Sequence, residues 1–256
     1  MAESRNYIII PAHFDSKRLP GKVLLEETGK PLIQHSWENA VRAKYKYPEF
    51  NFNIIIATDN DEVENRCNDF GAKVIRTGKC ENGSERVAEA CRYLIFDECF
   101  NSVTNYQVDY PELPIDTFPK LVVACSERAK NQNILIHTPA YISNEKHAFL
   151  DKDNVKAVLN CDSTARYFSR CPIPFNASEF FIHIGVYCHY YQVMLQYDQI
   201  KNAPSPQMVT SENLEQNKWL FGNLKVGVIV SEKVPSINTI EDYNSFVRRY
   251  KTLITE

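Results

Sequence analysis

The fold of this chain follows from residues 8–22, which read Ile-Ile-Ile-Pro-Ala-His-Phe-Asp-Ser-Lys-Arg-Leu-Pro-Gly-Lys. The β-branched apolar run at the start predicts a buried strand, and a loop with two cations follows it. In open α/β sheets, ligands bind in the loops after the carboxyl ends of the strands. Arg18 and Lys22 lie in such a loop and indicate an anion, for which we expect a phosphate chain. A solvated turn at Pro20-Gly21 is the simpler interpretation of the same loop.

Composition excludes several classes of protein. The chain has 256 residues, a net charge of -3, 44% hydrophobic residues and 24% charged residues, as in an ordinary globular protein. This charge gives no reason to expect nucleic acid or a membrane surface as a partner, and no apolar run is long enough to span a bilayer. The N-terminus lacks the apolar core of a signal peptide, so we expect a cytoplasmic protein. The eight cysteines are scattered without zinc-ligand spacing, which favours reduced thiols that pack as small hydrophobes.

Strand and helix patterns alternate through the first half of the chain, which is typical of a mostly parallel sheet covered by helices on both faces. The apolar runs predict strands at Tyr7–Ile10, Asn53–Ala57, Ala72–Ile75 and Val103–Val108. Helical periodicity predicts a helix from Pro31, one at Asp61–Phe70, one with Ser84 as its N-cap, and one that opens at Pro114 or Pro119 and runs through Arg128.

The pattern changes after residue 133, where several strands follow one another with short links. The predicted elements are strands at Ile134–Thr138, Val155–Leu159, Ala165–Ser169, Phe181–Tyr190 and Leu224–Val230, and an amphipathic helix at Glu241–Leu253. We therefore predict an α/β fold with a mostly parallel mixed central sheet and a small antiparallel extension. One domain is expected over residues 1–256, with the extension at approximately 134–205.

Polar residues follow the predicted strands at the same expected edge of the sheet. Thr58 and Asp59 end the second strand, although a cap for the next helix explains them as well. Gly83 and Ser84 open a helix whose free backbone N–H groups suit a phosphate or a base carbonyl, with capping again the alternative. Asp109 ends the fourth strand, where a carboxylate facing a triphosphate is a suitable Mg²⁺ ligand. A simple turn residue is an equally good explanation of Asp109.

Taken in order along the chain, these segments resemble one protein family. The matching segments are Pro11-Ala12, Ser16, Arg18-Leu19-Pro20-Gly21-Lys22, Ala57-Thr58-Asp59, Gly83-Ser84-Glu85-Arg86, Gln107-x-Asp109-x-Pro111, Asn154-Val155-Lys156, Tyr167-Phe168-Ser169-Arg170, Pro172-Ile173-Pro174, His183-Ile184-Gly185-Val186-Tyr187, Leu214-Glu215-Gln216, Val234-Pro235 and Thr239-Ile240-Glu241-Asp242. They resemble the 3-deoxy-manno-octulosonate cytidylyltransferases, or CMP-Kdo synthetases, and the resemblance covers nearly the whole chain.

The resemblance implies a Rossmann-like nucleotidyltransferase fold, a homodimer, and Mg²⁺ held by Asp109 and Asn238. It implies that the anomeric hydroxyl of an acidic sugar, Kdo or a close analogue, attacks the α-phosphate of CTP, so that a CMP-sugar forms and pyrophosphate leaves. The implied nucleotide-binding residues are Pro11, Ala12, His13, Ser16, Arg18, Lys22, Thr58, Asp59, Gly83 and Ser84, with Arg18, Lys22 and Asp109 catalytic. The implied sugar-binding residues are Gln107, Arg170, His183, Tyr187, Glu212 and Gln216. Arg170 has the charge for the sugar carboxylate, but it can equally hold a loop carboxylate.

The chain departs from the family pattern at several positions. His13 stands where the family has Arg, and Val108 and Tyr110 replace a Gly and an acidic residue beside Asp109. Asn238 replaces the second metal-binding Asp, so it offers a carbonyl oxygen without a charge. Lys218 replaces an Arg, which removes the bidentate geometry of a guanidinium.

These departures leave three interpretations open. The first is an active cytidylyltransferase, which the retained cations and Asp109 favour. The second is a weak or inactive homologue that serves as a binding or partner subunit, which His13, Val108 and Asn238 favour. The third is a transferase for another acidic sugar, such as a sialic acid, against which the Tyr-Phe-Ser-Arg and His-x-Gly-x-Tyr segments argue.

Overall fold

The computed structural model describes residues 4–14, 19–96, 101–202 and 211–255. The strands in these residues are β1 (Asn6–Ala12), β2 (Phe52–Thr58), β3 (Val74–Arg76), β4 (Ser102–Tyr106), β5 (Ile136–Ser143), β6 (Lys156–Leu159), β7 (Ala165–Ser169), β8 (Phe180–His183), β9 (Val186–Tyr190) and β10 (Val226–Val230). The helices are α1 (Leu32–Lys46), α2 (Asp61–Asp69), α3 (Gly83–Cys91), α4 (Thr117–Gln132), α5 (Lys146–Leu150), α6 (Tyr191–Leu195), α7 (Tyr197–Lys201), α8 (Glu215–Phe221) and α9 (Ile240–Thr255), with 3-10 turns at Lys22–Leu24 and Pro48–Phe50.

The chain divides into two compact units. Unit 1 comprises Met1–Cys99, Thr104–Asp116 and Val234–Glu256, and unit 2 comprises Phe100–Val103 and Thr117–Lys233. Because compactness alone does not decide whether either unit folds independently, the single domain over 1–256 stays a prediction.

Unit 1 contains the strands β3, β2 and β1 side by side in that order, and β4 follows β1 in the sheet. All seven residues of β1 are buried, as the apolar run predicts. Strand β1 pairs in parallel with β2 from Asn6 opposite Phe52 to Ala12 opposite Thr58, and β2 pairs in parallel with β3. The carboxyl ends of these three strands therefore meet at one edge.

Unit 2 contains the antiparallel extension, with strands in the order β9-β5-β8-β6-β7 and β10 paired to β5. Only the β5–β10 pair is parallel among the pairs described in this unit, and β5–β8, β5–β9, β6–β7 and β6–β8 are antiparallel. The predicted fold class, a mixed α/β fold with a parallel core and an antiparallel extension, is confirmed.

One predicted strand, Phe181–Tyr190, is wrong because it is two strands on opposite sides of β5. The chain crosses at Ile184, where the Thr138 hydroxyl lies within hydrogen-bond distance of the carbonyls of Ile184 and Val186 at 3.2 and 2.7 Å. Ile184 and Val186, on either side of Gly185, are as apolar and as buried as the strand residues, so hydrophobic periodicity alone does not separate the two strands.

The predicted cap of α3 is also wrong. The N-cap is Asn82, whose side-chain oxygen accepts from the backbone N–H of Glu85 at 2.9 Å. Ser84 lies inside the helix, where its buried hydroxyl accepts from the side-chain amide of Asn105 at 2.9 Å. Both residue types are good caps, so the sequence alone does not separate them.

Other boundaries differ by a few residues from those predicted, and the short helices α5, α6, α7 and α8 were not predicted. Among the described residues, no helix combines the length and apolar character needed to cross a membrane. The seven cysteines in the described part of the chain are all free.

Three histidines are buried in unit 2. Burial lowers the pKa of His137, His183 and His189 to about 3 in each case. In the described structure, neither ring nitrogen of His137 has a hydrogen-bond partner. The ring also packs against Gly227, where an added Cβ would lie 2.4 Å from Nε2. Unit 2 therefore holds these rings in their neutral form.

We expect acid to destabilise the fold through these histidines. Since the pKa of histidine in the unfolded chain is about 6.5, the unfolded state binds more protons below that pH, and the free energy of unfolding falls as the pH falls. The expected slope is about 1.4 kcal/mol per pH unit for each histidine between the two pKa values. Urea unfolding at about pH 7.5, 6.5 and 5.5 measures it.

The variant His137→Gln should have a flatter slope than the parent. His147→Gln is the matched control, because the His147 side chain is 83% exposed. Equal slopes in the parent and His137→Gln would contradict a contribution of buried His137 to the pH dependence of stability.

Candidate functional site

The carboxyl ends of β1 and β2 carry the first group of predicted nucleotide-binding residues. Pro11 and Ala12 lie opposite Ala57 and Thr58 in the parallel register, and Thr58 is fully buried. The Thr58 hydroxyl accepts from the backbone N–H of Asn60 at 3.2 Å. The predicted common edge is therefore present, and the Thr58 side chain stabilises the turn after β2.

Asp59, the next residue, is held by a buried arginine of α3. Arg86 Nη2 lies 3.0 Å from Asp59 Oδ2, and Arg86 Nη1 donates to the hydroxyl of Thr77 at 2.7 Å. Burial raises the pKa of the Asp59 carboxyl, but the hydrogen bond and charge of Arg86 outweigh it and hold this pKa below its ordinary value. His13 lies at the rim, half exposed, with Nδ1 3.9 Å from Asp59 Oδ1.

A second contact joins the start of α3 to β1 and to the end of β4. A Cβ on Gly83 would lie 2.7 Å from the side-chain nitrogen of Gln107 and 3.2 Å from Cγ of Pro11, so only glycine leaves this approach undisturbed. The Gln107 amide also donates to the side chain of Asn105 at 3.0 Å. Gln107, predicted for the sugar, therefore lies among residues predicted for the nucleotide.

Lys22 and Asp109, two of the predicted catalytic residues, are in direct contact. Lys22 Nζ lies 2.5 Å from Asp109 Oδ1 and donates to the carbonyl of Ile237 at 3.1 Å. The backbone N–H of Ile237 in turn donates to the carbonyl of Asp109 at 2.9 Å. The Lys22 side chain is 10% exposed and that of Asp109 29%, so the carboxylate keeps an open face.

Asn238, the other predicted metal ligand, follows Ile237 directly. Its side-chain amide donates to Ser236 Oγ at 2.9 Å. The backbone N–H groups of Asn238 and Thr239 both donate to Asp242, and Thr239 Oγ1 accepts from the Asp242 N–H. This reciprocal cap fixes the start of α9. Asn238 directly follows Ile237, whose backbone binds both Lys22 and Asp109.

Two predicted residues, Ser16 and Arg18, lie outside the described residues. Their roles stay predictions.

In unit 2, His183 and Tyr187 form one aromatic group with Trp219. The ring centroids of His183 and Tyr187 are 5.3 Å apart, and Tyr187 meets Trp219 edge-on at 4.8 Å. His183 Nε2 lies 2.9 Å from the Thr138 hydroxyl. Gln216 is buried on the same helix as Trp219.

Arg170 and Glu212 form a second group in unit 2. The Glu212 carboxylate accepts from the hydroxyl of Ser169 at 2.5 Å and from the backbone N–H of Arg170 at 2.9 Å. The Arg170 guanidinium donates to two backbone carbonyls, from Nε to Glu212 at 3.1 Å and from Nη1 to Lys152 at 3.0 Å. Arg170 thus contacts a carboxylate through its backbone N–H and not through its guanidinium.

Comparison with known proteins accounts for this arrangement. A sequence model of the family described as cytidylyltransferase matches residues 7–226. The chain belongs to this family. The family resemblance stated from the sequence is confirmed, and we treat the protein below as a nucleotidyltransferase.

Relatives of this cytidylyltransferase carry a more specific name. The chain is 34% identical over 250 residues to a 3-deoxy-manno-octulosonate cytidylyltransferase of Francisella philomiragia, covering 92% of this chain and 94% of the relative. It is 32% identical over 258 residues to the protein of the same name from Coxiella burnetii, covering 95% and 98%. The solved structure of CMP:2-keto-3-deoxy-manno-octonic acid synthetase complexed with CTP aligns with a TM-score of 0.85 at 26% identity, covering 97% and 99%.

The departures from the family pattern fit the structure without strain. Val108 is buried in the core, its carbonyl accepts from the Ser36 hydroxyl at 3.2 Å, and it is absent from the positive-φ residues of the described chain. The Tyr110 carbonyl accepts from the hydroxyl of Tyr106 at 2.7 Å. Valine and tyrosine are thus built into this cytidylyltransferase as ordinary packing residues.

The residues around Asp109 suit Mg²⁺. No group of three His, Cys, Asp or Glu side chains in the described part of the chain is arranged to hold a metal. Mg²⁺ needs no such group, because one or two carboxylates suffice when phosphate oxygens and waters complete its shell. Lys22 occupies Oδ1 of Asp109, and Oδ2 makes no hydrogen bond among the described residues. The open carboxylate oxygen of Asp109 therefore fits the predicted ion, and Asn238, which follows Ile237 in the chain, stays the predicted second ligand.

Sequence reasoning missed three residues that organise these groups. Arg86 was quoted within a matching segment, yet its role as the buried partner of Asp59 was not assigned. Asn105 joins α3 to β4 through Ser84. Lys156 is fully buried beside Arg170. A charged residue within an apolar strand pattern, as at Lys156, was the one available signal.

We expect Lys22 and Asp109 to be strongly coupled in stability. A double-mutant cycle with Lys22→Met, Asp109→Asn and the double variant should give a coupling of about 1 to 3 kcal/mol in urea unfolding, because the ammonium is almost fully desolvated. The exposed pair Lys46–Asp116, with an N–O distance of 3.0 Å, is the matched control and should couple more weakly. Equal coupling in the two cycles would contradict the importance of the buried contact.

Proposed function

We propose that this cytidylyltransferase forms a CMP-sugar acid, CMP-Kdo or a close analogue, and pyrophosphate from CTP and the sugar acid. The observation that carries the proposal is the contact of Lys22 with Asp109 in unit 1, which puts a cation for phosphate beside a carboxylate for a divalent ion. The names of the relatives supply the sugar.

In the proposed reaction, an oxygen–phosphorus bond forms between the anomeric hydroxyl and the α-phosphorus as the bond to pyrophosphate breaks. The hydroxyl proton is lost, and the negative charge of the leaving pyrophosphate grows. Lys22, with Arg18 as its predicted companion, would neutralise that charge. The strand ends and the N-terminus of α3 would hold the nucleoside and phosphates.

Mg²⁺, held by Asp109 and Asn238, would supply charge neutralisation on the phosphates and lower the pKa of the attacking hydroxyl. Asp109 carries the only charge of this ligand pair, so its carboxylate would dominate the ion's affinity. Lys22 donates to one oxygen of that carboxylate. Lys22 would therefore shift toward the phosphates as the ion and CTP bind.

The sugar would contact the residues predicted for it in unit 2. The guanidinium of Arg170 is bound to carbonyls rather than to a carboxylate, so its charge remains for the sugar's carboxylate. Burial keeps the His183 ring neutral, with its pKa at about 3, so it would act by hydrogen bonding and not by charge. The homodimer and the cytoplasmic location implied earlier remain part of this proposal.

A second candidate, a weak or inactive homologue, rests on His13, Val108 and Asn238. The contact of Lys22 with Asp109 argues against it, because both catalytic side chains that the structure describes are retained and lie together. A third candidate, transfer to another acidic sugar, is separated from the first by the choice of acceptor in the assay.

The direct test is pyrophosphate release from CTP, Mg²⁺ and Kdo, with a sialic acid as the alternative acceptor. Wild type should turn over Kdo, and Asp109→Asn should lose about 100-fold or more in kcat because the charged ligand is gone. Asp116→Asn removes an exposed carboxylate of unit 1 and should leave kcat unchanged. Absence of product from wild type with Kdo would refute the proposal, and product with sialic acid alone would select the third candidate.

A gain of metal affinity is expected from Asn238→Asp. The new carboxylate adds a full charge beside Asp109, so the Mg²⁺ dissociation constant in the presence of CTP should fall about 10-fold in titration calorimetry. Asn68→Asp adds the same charge at an exposed position of α2 and should leave the Mg²⁺ dissociation constant unchanged. If both variants bind Mg²⁺ as the parent does, Asn238 is not a ligand.

A further inference from the structure

Unit 2 contains a lysine whose charge is entirely removed from solvent. Lys156 begins β6, and its side chain is fully buried. Its Nζ donates to the backbone carbonyls of Asp151, Asn154 and Arg170 at 2.8, 2.6 and 2.6 Å. An ammonium has three donors, and here each donor meets one acceptor. Three acceptors at these distances require the charged form, since a neutral amine has only two N–H bonds.

Burying the ammonium of Lys156 costs desolvation free energy, which its surroundings must offset. Among the described residues, no carboxylate lies within ion-pair distance of Lys156, so its direct hydrogen-bond partners are all backbone carbonyls, with the charges of Asp151 and Glu212 acting from further away. The three carbonyls come from two loops, one at 151–154 before β6 and one after β7 at Arg170. The ammonium therefore ties these loops to each other.

The loop after β7 presents Arg170. Its guanidinium is anchored at Nε by the carbonyl of Glu212 and at Nη1 by that of Lys152, while Nη2 makes no hydrogen bond among the described residues. Lys152 belongs to the loop that Lys156 holds. Lys156 thus supports Arg170 in two ways: it binds the Arg170 carbonyl directly, and it holds the loop at 151–154, which supplies the carbonyl that Nη1 binds.

The guanidinium of Arg170 suits a carboxylate. The one carboxylate in direct contact with Arg170, that of Glu212, accepts from the Ser169 hydroxyl and from the backbone N–H of Arg170, so it does not bind the guanidinium. The guanidinium is a planar donor held by two carbonyls, and a carboxylate is the ligand that such a donor binds best.

We propose that Lys156 is a positioning residue of the sugar site, which holds the Arg170 guanidinium in place for the carboxylate of the acidic sugar. This inference rests on the proposed function. Lys156 touches neither substrate; it acts through the Arg170 carbonyl and the loop at 151–154.

The test is steady-state kinetics of Lys156→Met, which keeps the length of the side chain and removes its donors. The KM for the sugar acid should rise about 10-fold or more, while the KM for CTP stays within about twofold, because a displaced guanidinium loses its bond to the carboxylate. Lys233→Met is the matched control. It removes an exposed lysine of unit 2 that pairs with Glu145, and both KM values should stay at the wild-type level.

Arg170→Lys separates positioning from a merely structural role. It should raise the KM for the sugar acid as Lys156→Met does. The double variant Lys156→Met/Arg170→Lys should have a sugar KM no higher than that of Arg170→Lys alone, because both changes remove the same interaction. Fully additive effects would overturn the proposal. If Lys156→Met does not fold, Lys156→Arg keeps the charge but cannot direct donors to three convergent carbonyls, so its sugar KM should still rise while its CTP KM does not.

Hydrogen exchange provides a readout independent of turnover. The amides of 151–155, Arg170 and Cys171 should exchange faster in Lys156→Met than in wild type, and their exchange rates should be unchanged in Lys233→Met. Turnover by wild type with an unchanged sugar KM in Lys156→Met would overturn this inference alone. Absence of turnover by wild type with any acidic sugar would instead overturn the proposed function, and the inference with it.

Discussion

The ammonium of Lys22 joins three segments of unit 1 that are far apart in sequence. It bonds to the carboxylate of Asp109 after β4 and to the carbonyl of Ile237 before α9, and the N–H of Ile237 closes the group on Asp109. An almost fully buried ammonium is stable only when acceptors surround it, and Lys22 has both the Asp109 carboxylate and the Ile237 carbonyl. The predicted phosphate and metal ligands of this cytidylyltransferase are therefore organised by the same contact that anchors its C-terminal helix.

In unit 2, the direct partners of the buried positive charges are backbone carbonyls rather than a carboxylate. Lys156 is surrounded by backbone carbonyls, and Arg170 is supported by two more. No carboxylate neutralises the guanidinium of Arg170 in the described residues, which leaves a fixed positive charge for an anion. In unit 1 the cation Lys22 is paired with a carboxylate, whereas in unit 2 the guanidinium of Arg170 is held by carbonyl dipoles. The two groups proposed for phosphate and for the sugar carboxylate are thus held by separate physical means.

Much of the fold could be predicted because hydrophobic periodicity is local. The buried run at Tyr7–Ile10 became β1, and Ala165–Ser169 was predicted to the residue. Periodicity failed where a neighbour decided the outcome. The run at Phe181–Tyr190 breaks because Thr138 on β5 holds the crossing at Ile184, and no pattern inside the run records that contact.

The sequence by itself determined the α/β class, the cytidylyltransferase family and the residue types that this chemistry needs, because composition, spacing and order are properties of the chain alone. Only the tertiary structure decided which of those residues meet. It paired Lys22 with Asp109, gave Asp59 a buried partner in Arg86, and put Lys156 beneath Arg170. Such partners lie tens of residues or more apart in most cases, and burial, which sets the strength of each charge, exists only once the chain has folded.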